Sequence, residues 1–231
     1  MSDWISFYDF KHSVIYVNAR HRDVHYRTIA TDIHAYVPSA QANVLDYGCG
    51  EATSADLVAA ASGHLTLVEA APNVRASLKA RYEGDPKISV LTPDEAAARP
   101  AASFDLIVMH SVAQYLSAAE LDRVLKIFRT LLKPNGIVIV GDIVPARFAA
   151  PYAALALLRF AIANGFFWAG VGGLMRIFVS DYLRLKKTVG LSHYDEAAML
   201  AKLKATGYAA ERAPRNIGHN QRRMTFLARP A

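Results

Sequence analysis

The chain has 231 residues, 53% hydrophobic and 20% charged, which suits one α/β domain with a full core and excludes a disordered segment. Its one cysteine, Cys49, excludes an internal disulfide or a multi-cysteine zinc site and fits a reducing cytoplasm. The net charge of +6 arises in the last third: residues 1–141 hold 13 basic and 15 acidic side chains and residues 142–231 hold 13 and 5, a bias that attracts anionic surfaces or substrates.

The opening MSDWISFYDFKHS has neither a basic start nor a long apolar core, so no signal peptide is expected. Residues 1–43 carry apolar and aromatic side chains at roughly helical spacing and predict a helical cap over the ligand edge of a sheet, with Pro38 before the first strand. From Val44 onward, β-rich runs alternate with helical patterns: VLDY at Val44, LTLVE at Leu65, ISVL at Ile88, FDLIVM at Phe104 and GIVIVGDI at Gly136. That alternation predicts an α/β fold with a doubly wound, Rossmann-like and mostly parallel sheet. Residues 73–83 read as a helix stopped by Gly84, and Ser117 with Glu120 forms a capping box opening a helix through Leu121, Val124, Leu125, Phe128, Leu131 and Leu132. Lys133-Pro134-Asn135-Gly136 then turns the chain into the fifth strand. A capped helix is expected over 192–205, followed by YAAER and RRMTFLAR as two antiparallel strands. The chain thus reads as one domain: cap 1–43, core 44–145, insertion 146–191 and closing elements 192–231.

The run VLDYGCGEA places a tight turn between a strand and a helix starting near Thr53. Gly48 and Gly50 lack Cβ atoms, so backbone can approach a ligand closely at the helix N-terminus. A dinucleotide fingerprint would carry a third glycine where Thr53 stands. Asp46 ends the strand, where a carboxylate can hold water or a ligand ammonium, and Glu69 ends the next strand beside the turn, where its oxygens can accept ribose hydroxyls.

In order, VLDYGCGEA, LTLVEAAP, FDLIVMHSVAQYL and LLKPNGIVIVGDIV resemble the successive motifs of class I methyltransferases over about 100 residues. Ala52 stands where many members carry a third glycine. The resemblance implies S-adenosyl-L-methionine as methyl donor. Gly48 and Gly50 would flank its methionine part, Glu69 its ribose and Asp94 its adenine amine, with Asp46 and Cys49 also among the donor-binding candidates. By the same resemblance, His110 and Ser111 would line the donor's methionine end. O-methyltransferases with a catalytic histidine in this loop place it, on this register, at Ala113.

His110 nevertheless stands as a candidate base, beside the reading of a neutral histidine that only shapes the pocket. Tyr16, Arg20, Tyr26 and Tyr115 are acceptor-side candidates, and tyrosine faces also attract a sulfonium. His21 and His25 lie one helical turn apart, but no third metal ligand is apparent, so no metal is expected.

The insertion alternates long apolar runs with Arg159, Arg176, Arg184, Lys186 and Lys187, and reads as a lid, an anionic-membrane dock or a homodimer face. Its longest uncharged run, residues 160–175, is 16 residues with four glycines, too short to span a bilayer. A small, hydrophobic or lipid-like acceptor follows from the apolar insertion. Nucleic acid is disfavoured, because no Asn/Asp-Pro-Pro-aromatic run follows the fourth strand and Cys49 lies in the glycine loop. An NAD(P)-dependent oxidoreductase and a non-catalytic ligand-binding protein remain the alternatives.

Overall fold

The computed structural model describes residues 5, 6, 9, 16–146, 150–178 and 192–231. Helix α1 (Ala19–His34) starts at Asn18, whose side chain accepts from the His21 N–H at 2.8 Å. The core then alternates β1 (Asn43–Tyr47), α2 (Ala55–Ala61), β2 (His64–Val68), α3 (Pro72–Arg81), β3 (Ile88–Leu91), α4 (Pro93–Ala97) and β4 (Phe104–His110). A 3₁₀ turn (Ala113–Tyr115), α5 (Ala118–Leu131) and β5 (Leu132–Ile143) complete its parallel part. After the insertion come α8 (Glu196–Ala205), β6 (Tyr208–Arg212) and β7 (Met224–Pro230).

The seven strands lie in the order β3-β2-β1-β4-β5-β7-β6, with β7 antiparallel to both neighbours. The chain leaves β1 towards β3 and returns to β4 on the other side, so the carboxyl ends of β1 and β4 flank the switch point where ligands of such sheets bind. Strand alternation splits the core in two. Leu106 and Val108 of β4 pack with Ile33 of α1, Val58 of α2 and Leu78 of α3, while Ile107 and Met109 pack with Leu125 and Phe128 of α5 and Leu203 of α8. Covered on both faces, the central strands can be continuously apolar.

The expected capping box at Ser117 is present with both hydrogen bonds, and a second one, Thr92 with Glu95, opens the unforeseen α4. Two expectations change. Leu132 pairs with Phe104 and Ile137 with Leu106, so 133–136 bulge within β5 instead of preceding it. The helix expected from Ser192 begins at Glu196 under an Asp195 cap, because the Ser192 N–H and hydroxyl donate to the Gln114 and Leu116 carbonyls and hold it extended against the loop after β4.

The insertion contributes α6 (Ala150–Ala163) and α7 (Phe167–Phe178). Ala161 and Phe166 bury against Val17, just before the start of α1. Their outer faces stay apolar: Trp168 is 82%, Met175 70% and Ile162 64% exposed. Arg184, Lys186 and Lys187 of the expected basic pattern lie outside the described residues, as does the side chain of Arg176. Among the described residues no helix is long and apolar enough to cross a membrane.

Candidate active site

The glycine turn sits at the switch point and is locked from two sides. Gly48 (φ +73) and Gly50 (φ +61) adopt left-handed angles. A Cβ on Gly48 would lie 2.4 Å from Val112 Cγ2, and one on Gly50 2.6 Å from the Tyr26 hydroxyl oxygen. Glu69, buried just past β2, accepts the Gly50 N–H at 3.0 Å on one carboxylate oxygen and the Ala71 N–H at 2.8 Å on the other. Burial raises its pKa, against the pull of those N–H groups. Burial, aided by the Glu69 charge, pushes Asp46 up to about 7. Two desolvated carboxylates this close favour a cation beside them. Burial also raises the Cys49 thiol well above its usual range, so it stays protonated.

The Tyr26 hydroxyl closes the turn by accepting the Glu51 N–H at 2.9 Å, and the Tyr16 hydroxyl donates to it at 3.1 Å. Across the sheet edge, Ser111 (φ +58) follows β4 and Asp142 (φ +63) lies near the end of β5. The Asp142 carboxylate accepts from the Ser111 hydroxyl at 2.5 Å and the Asn216 amide at 3.3 Å, and pairs with Arg223. Burial opposes its charge, but Arg223, His110 and Ser111 hold its pKa below the usual range.

These groups face one cavity of about 1100 Å³. It runs from Asp46, Gly48 and Glu69 past His110 and Ser111 to His21, His25 and His219, with Leu157 of α6 on its wall. Tyr16, Tyr26, Cys49, Gly50 and Tyr115 also line it. Two expected residues do not. Arg20 is exposed, and its Nε donates to the Asn164 carbonyl at 2.5 Å, fastening α1 to the α6–α7 turn. Asp94 is exposed on the first turn of α4, and the adjacent Pro93 lines the cavity.

Residues 45–138, from β1 into β5, match the family model described as "Methyltransferase domain". Residues 45–138 thus carry a methyltransferase-domain sequence pattern on a mostly parallel, Rossmann-like sheet.

Solved structures share the fold at low identity. A structure of DhpI in complex with SAH matches at TM-score 0.62 and 12% identity, over 98% of this chain and 95% of that one. The mitomycin 7-O-methyltransferase MmcR matches at 0.61 and 20%, over 99% and 61%. The Haemonchus contortus phosphoethanolamine N-methyltransferase 1 matches at 0.62 and 14%, over 99% and 48%. No curated protein matches the chain in sequence. One of these relatives is named for an oxygen acceptor and another for a nitrogen acceptor.

The sequence reading missed Asp142, Asn216, His219 and Arg223. Eleven residues, 213–223, join β6 to β7, where a hairpin needs two to five, and that excess was the available signal. Among the described residues no group of three or more His, Cys, Asp or Glu side chains is placed to hold a metal.

The histidines make stability pH-dependent. Burial, aided by the neighbouring His219, lowers His21 to about 4 and His25 to about 3. An unfolded histidine titrates near about 6.5, so between these values the unfolded chain binds more protons and stability falls as pH falls. Asp46, raised to about 7, acts the opposite way, losing stability as pH rises through the same range. Burial lowers His110 and His219 as well, so the depressed histidines outweigh one raised aspartate. Thermal unfolding should therefore show a midpoint that drops by several degrees from about pH 7 to about pH 5, and a His21→Phe/His25→Phe variant should show a clearly smaller drop. An equal drop in the variant would place the titration elsewhere.

Proposed function

We propose that the protein transfers a methyl group from S-adenosyl-L-methionine to a small acceptor with an apolar body, held in the same cavity as the donor. The observation that carries this reading is the glycine turn clamped by Glu69 at the switch point, opening on a cavity that continues to the insertion helix α6. Its volume is at the upper end for one ligand site and suits two ligands side by side. The donor would supply an electrophilic methyl on a sulfonium. Asp46 would hold its ammonium, the bare backbone of Gly48 and Gly50 would admit its methionine part, and Glu69, whose oxygens keep free lone pairs, would accept from its ribose. Pro93 would flank the adenine. Ser111, held by Asp142, fixes the wall opposite the turn, and reaction then depends on alignment of the two ligands.

Calorimetric titration with S-adenosylmethionine, S-adenosylhomocysteine and NAD tests the donor class. Only the first two should bind. Glu69→Ala should weaken S-adenosylhomocysteine by about 1–3 kcal/mol, the cost of deleting a charged acceptor in a partly buried site. Binding of NAD alone, or full affinity in Glu69→Ala, would contradict the assignment.

The insertion supports a second element of this proposal, peripheral docking on an anionic membrane through which an apolar acceptor would arrive. Tyr152, Leu155 and Ile162 of α6 and Trp168 and Met175 of α7 are exposed, and residues 143–180 contain arginines but no acidic residue. We expect phosphatidylserine-rich vesicles to sediment the protein more than neutral ones, and Trp168→Glu/Met175→Glu to abolish the difference. Identical sedimentation of both proteins would remove the membrane from the proposal.

A further inference from the structure

The far end of the cavity is an aromatic chamber. The rings of His21, His25 and His219 stand 6.1 Å (21–25), 5.9 Å (25–219) and 6.5 Å (21–219) apart, centre to centre. His219 stacks on Phe160 at 4.4 Å and His21 on Phe166 at 5.2 Å, and His21 Nδ1 accepts the Val17 N–H at 3.2 Å. His25 differs. It sits between the other two with Tyr16 and Tyr26 at 5.7 and 5.6 Å, and its ring nitrogens have no hydrogen-bond partner among the described residues. It faces a cavity and is not sealed from it.

Resting on the methyl-transfer reading above, we propose that the acceptor atom is the oxygen of a hydroxyl group on an apolar ring, that this hydroxyl donates to His25, and that His25 takes its proton. The chamber suits such a guest. Aromatic walls pack a ring, and neutral imidazole accepts from O–H, whereas a carboxylate or phosphate would be desolvated beside Arg223, a cation already paired with Asp142. In the step, an oxygen lone pair bonds the methyl carbon and the carbon–sulfur bond breaks with its electron pair going to sulfur. The O–H pair stays on oxygen as the proton passes to the His25 nitrogen, leaving a methyl ether, S-adenosylhomocysteine and an imidazolium that later loses the proton to water.

His110 is worse placed for this role. Its Nδ1 is buried without a hydrogen-bond partner, so protonation at Nε2 would leave a charged N–H donor unsatisfied. Burial pushes His25 down to about 3, which makes it a weak base. A weak base suffices, because an oxygen carrying both methyl and proton is far more acidic than any imidazolium. The groups facing His25 are His21 and Tyr26 on its own helix, Tyr16 before it, His110 of β4, Asp142 of β5, and His219 and Arg223 of the β6–β7 connection. Asp142 favours the His25 cation, and the other histidines oppose it.

The probes are 2-naphthol and naphthalene, titrated by fluorescence against protein saturated with S-adenosylhomocysteine. A hydroxyl entering a pocket without a partner is penalised, so preference for naphthol reports a partner. We expect naphthol to bind at least about tenfold more tightly, one hydrogen bond's worth. His25→Phe should erase the preference with S-adenosylhomocysteine affinity unchanged, and His25→Asn, which keeps an acceptor oxygen, should retain it. The preference should stay flat from about pH 5.5 to about pH 8.5, because His25 remains neutral throughout. Equal binding of the two probes, an unchanged preference in His25→Phe, or a transition near an ordinary histidine pKa would each overturn the proposal. Failure of S-adenosylhomocysteine to bind the wild type would instead overturn the donor reading beneath it.

Discussion

Gly48→Val should abolish measurable S-adenosylhomocysteine binding, a loss of at least about 100-fold, or about 2.7 kcal/mol. Two causes act together. The residue has φ +73, where a β-branched side chain is strained, and the new Cβ would start 2.4 Å from Val112 Cγ2. Relief requires the turn to move, and the turn is held by the Gly48 N–H donating to the Val68 carbonyl at 2.7 Å and by Glu69 on Gly50. Strain of about 1–3 kcal/mol should also lower the unfolding midpoint by about 2–4 °C per kcal/mol. Gly84→Ala separates the two effects. Gly84 also has a left-handed angle (φ +79), but a Cβ there meets nothing within 4 Å, so this variant should lose stability and keep full affinity. A folded Gly48→Val protein that binds normally would remove the turn from the donor site.

Asp142→Ala should be the most destabilising of the substitutions considered, by about 3–5 kcal/mol. Its carboxylate and the Arg223 guanidinium are 12% and 20% exposed, so deleting the anion removes a desolvated partner of the cation and the acceptor of the Ser111 hydroxyl. Asp142 also holds φ +63, tolerated better by Asp or Asn than by Ala. Asp142→Asn should accordingly cost less. A urea-unfolding cycle with Arg223→Met checks the pairing: the double variant should recover about 1–3 kcal/mol relative to the sum of the single variants. Additive losses would show that the pair contributes nothing as a pair. The depressed pKa of Asp142 implies stability that is present above the ordinary aspartate value of about 3.9 and is lost as pH falls through the lower folded value. Because the network anchors Ser111 and the β6–β7 connection, Asp142→Ala should also weaken 2-naphthol binding.

The sequence by itself determined the alternation of strands and helices, the glycine turn, its partner acid 19 residues on and the capping box at Ser117. Each rests on chemistry within a short window: strand alternation repeats every two residues, a capping box spans four, and a turn carries its own glycines. The same locality misled the reading of Ser192, whose local pattern resembles a cap while contacts to Gln114 and Leu116, 78 and 76 residues away, hold it extended. Arg20 and Asp94 failed for a related reason. Each lies beside the cavity in the chain, but its rotation about a helix decides whether it faces in, and that rotation follows from packing. The chamber around His25 was decided only by the tertiary structure. It joins α1, the ends of β4 and β5, α6 and the β6–β7 connection, and its closure depends on bonds such as the Gly218 N–H to Asp32, 2.7 Å across 186 residues. Burial and hydrogen bonds between segments so distant impose no periodicity on either one, so the glycine turn and its acid were legible along the chain, whereas the His25 chamber formed only when the sheet brought its five contributors together.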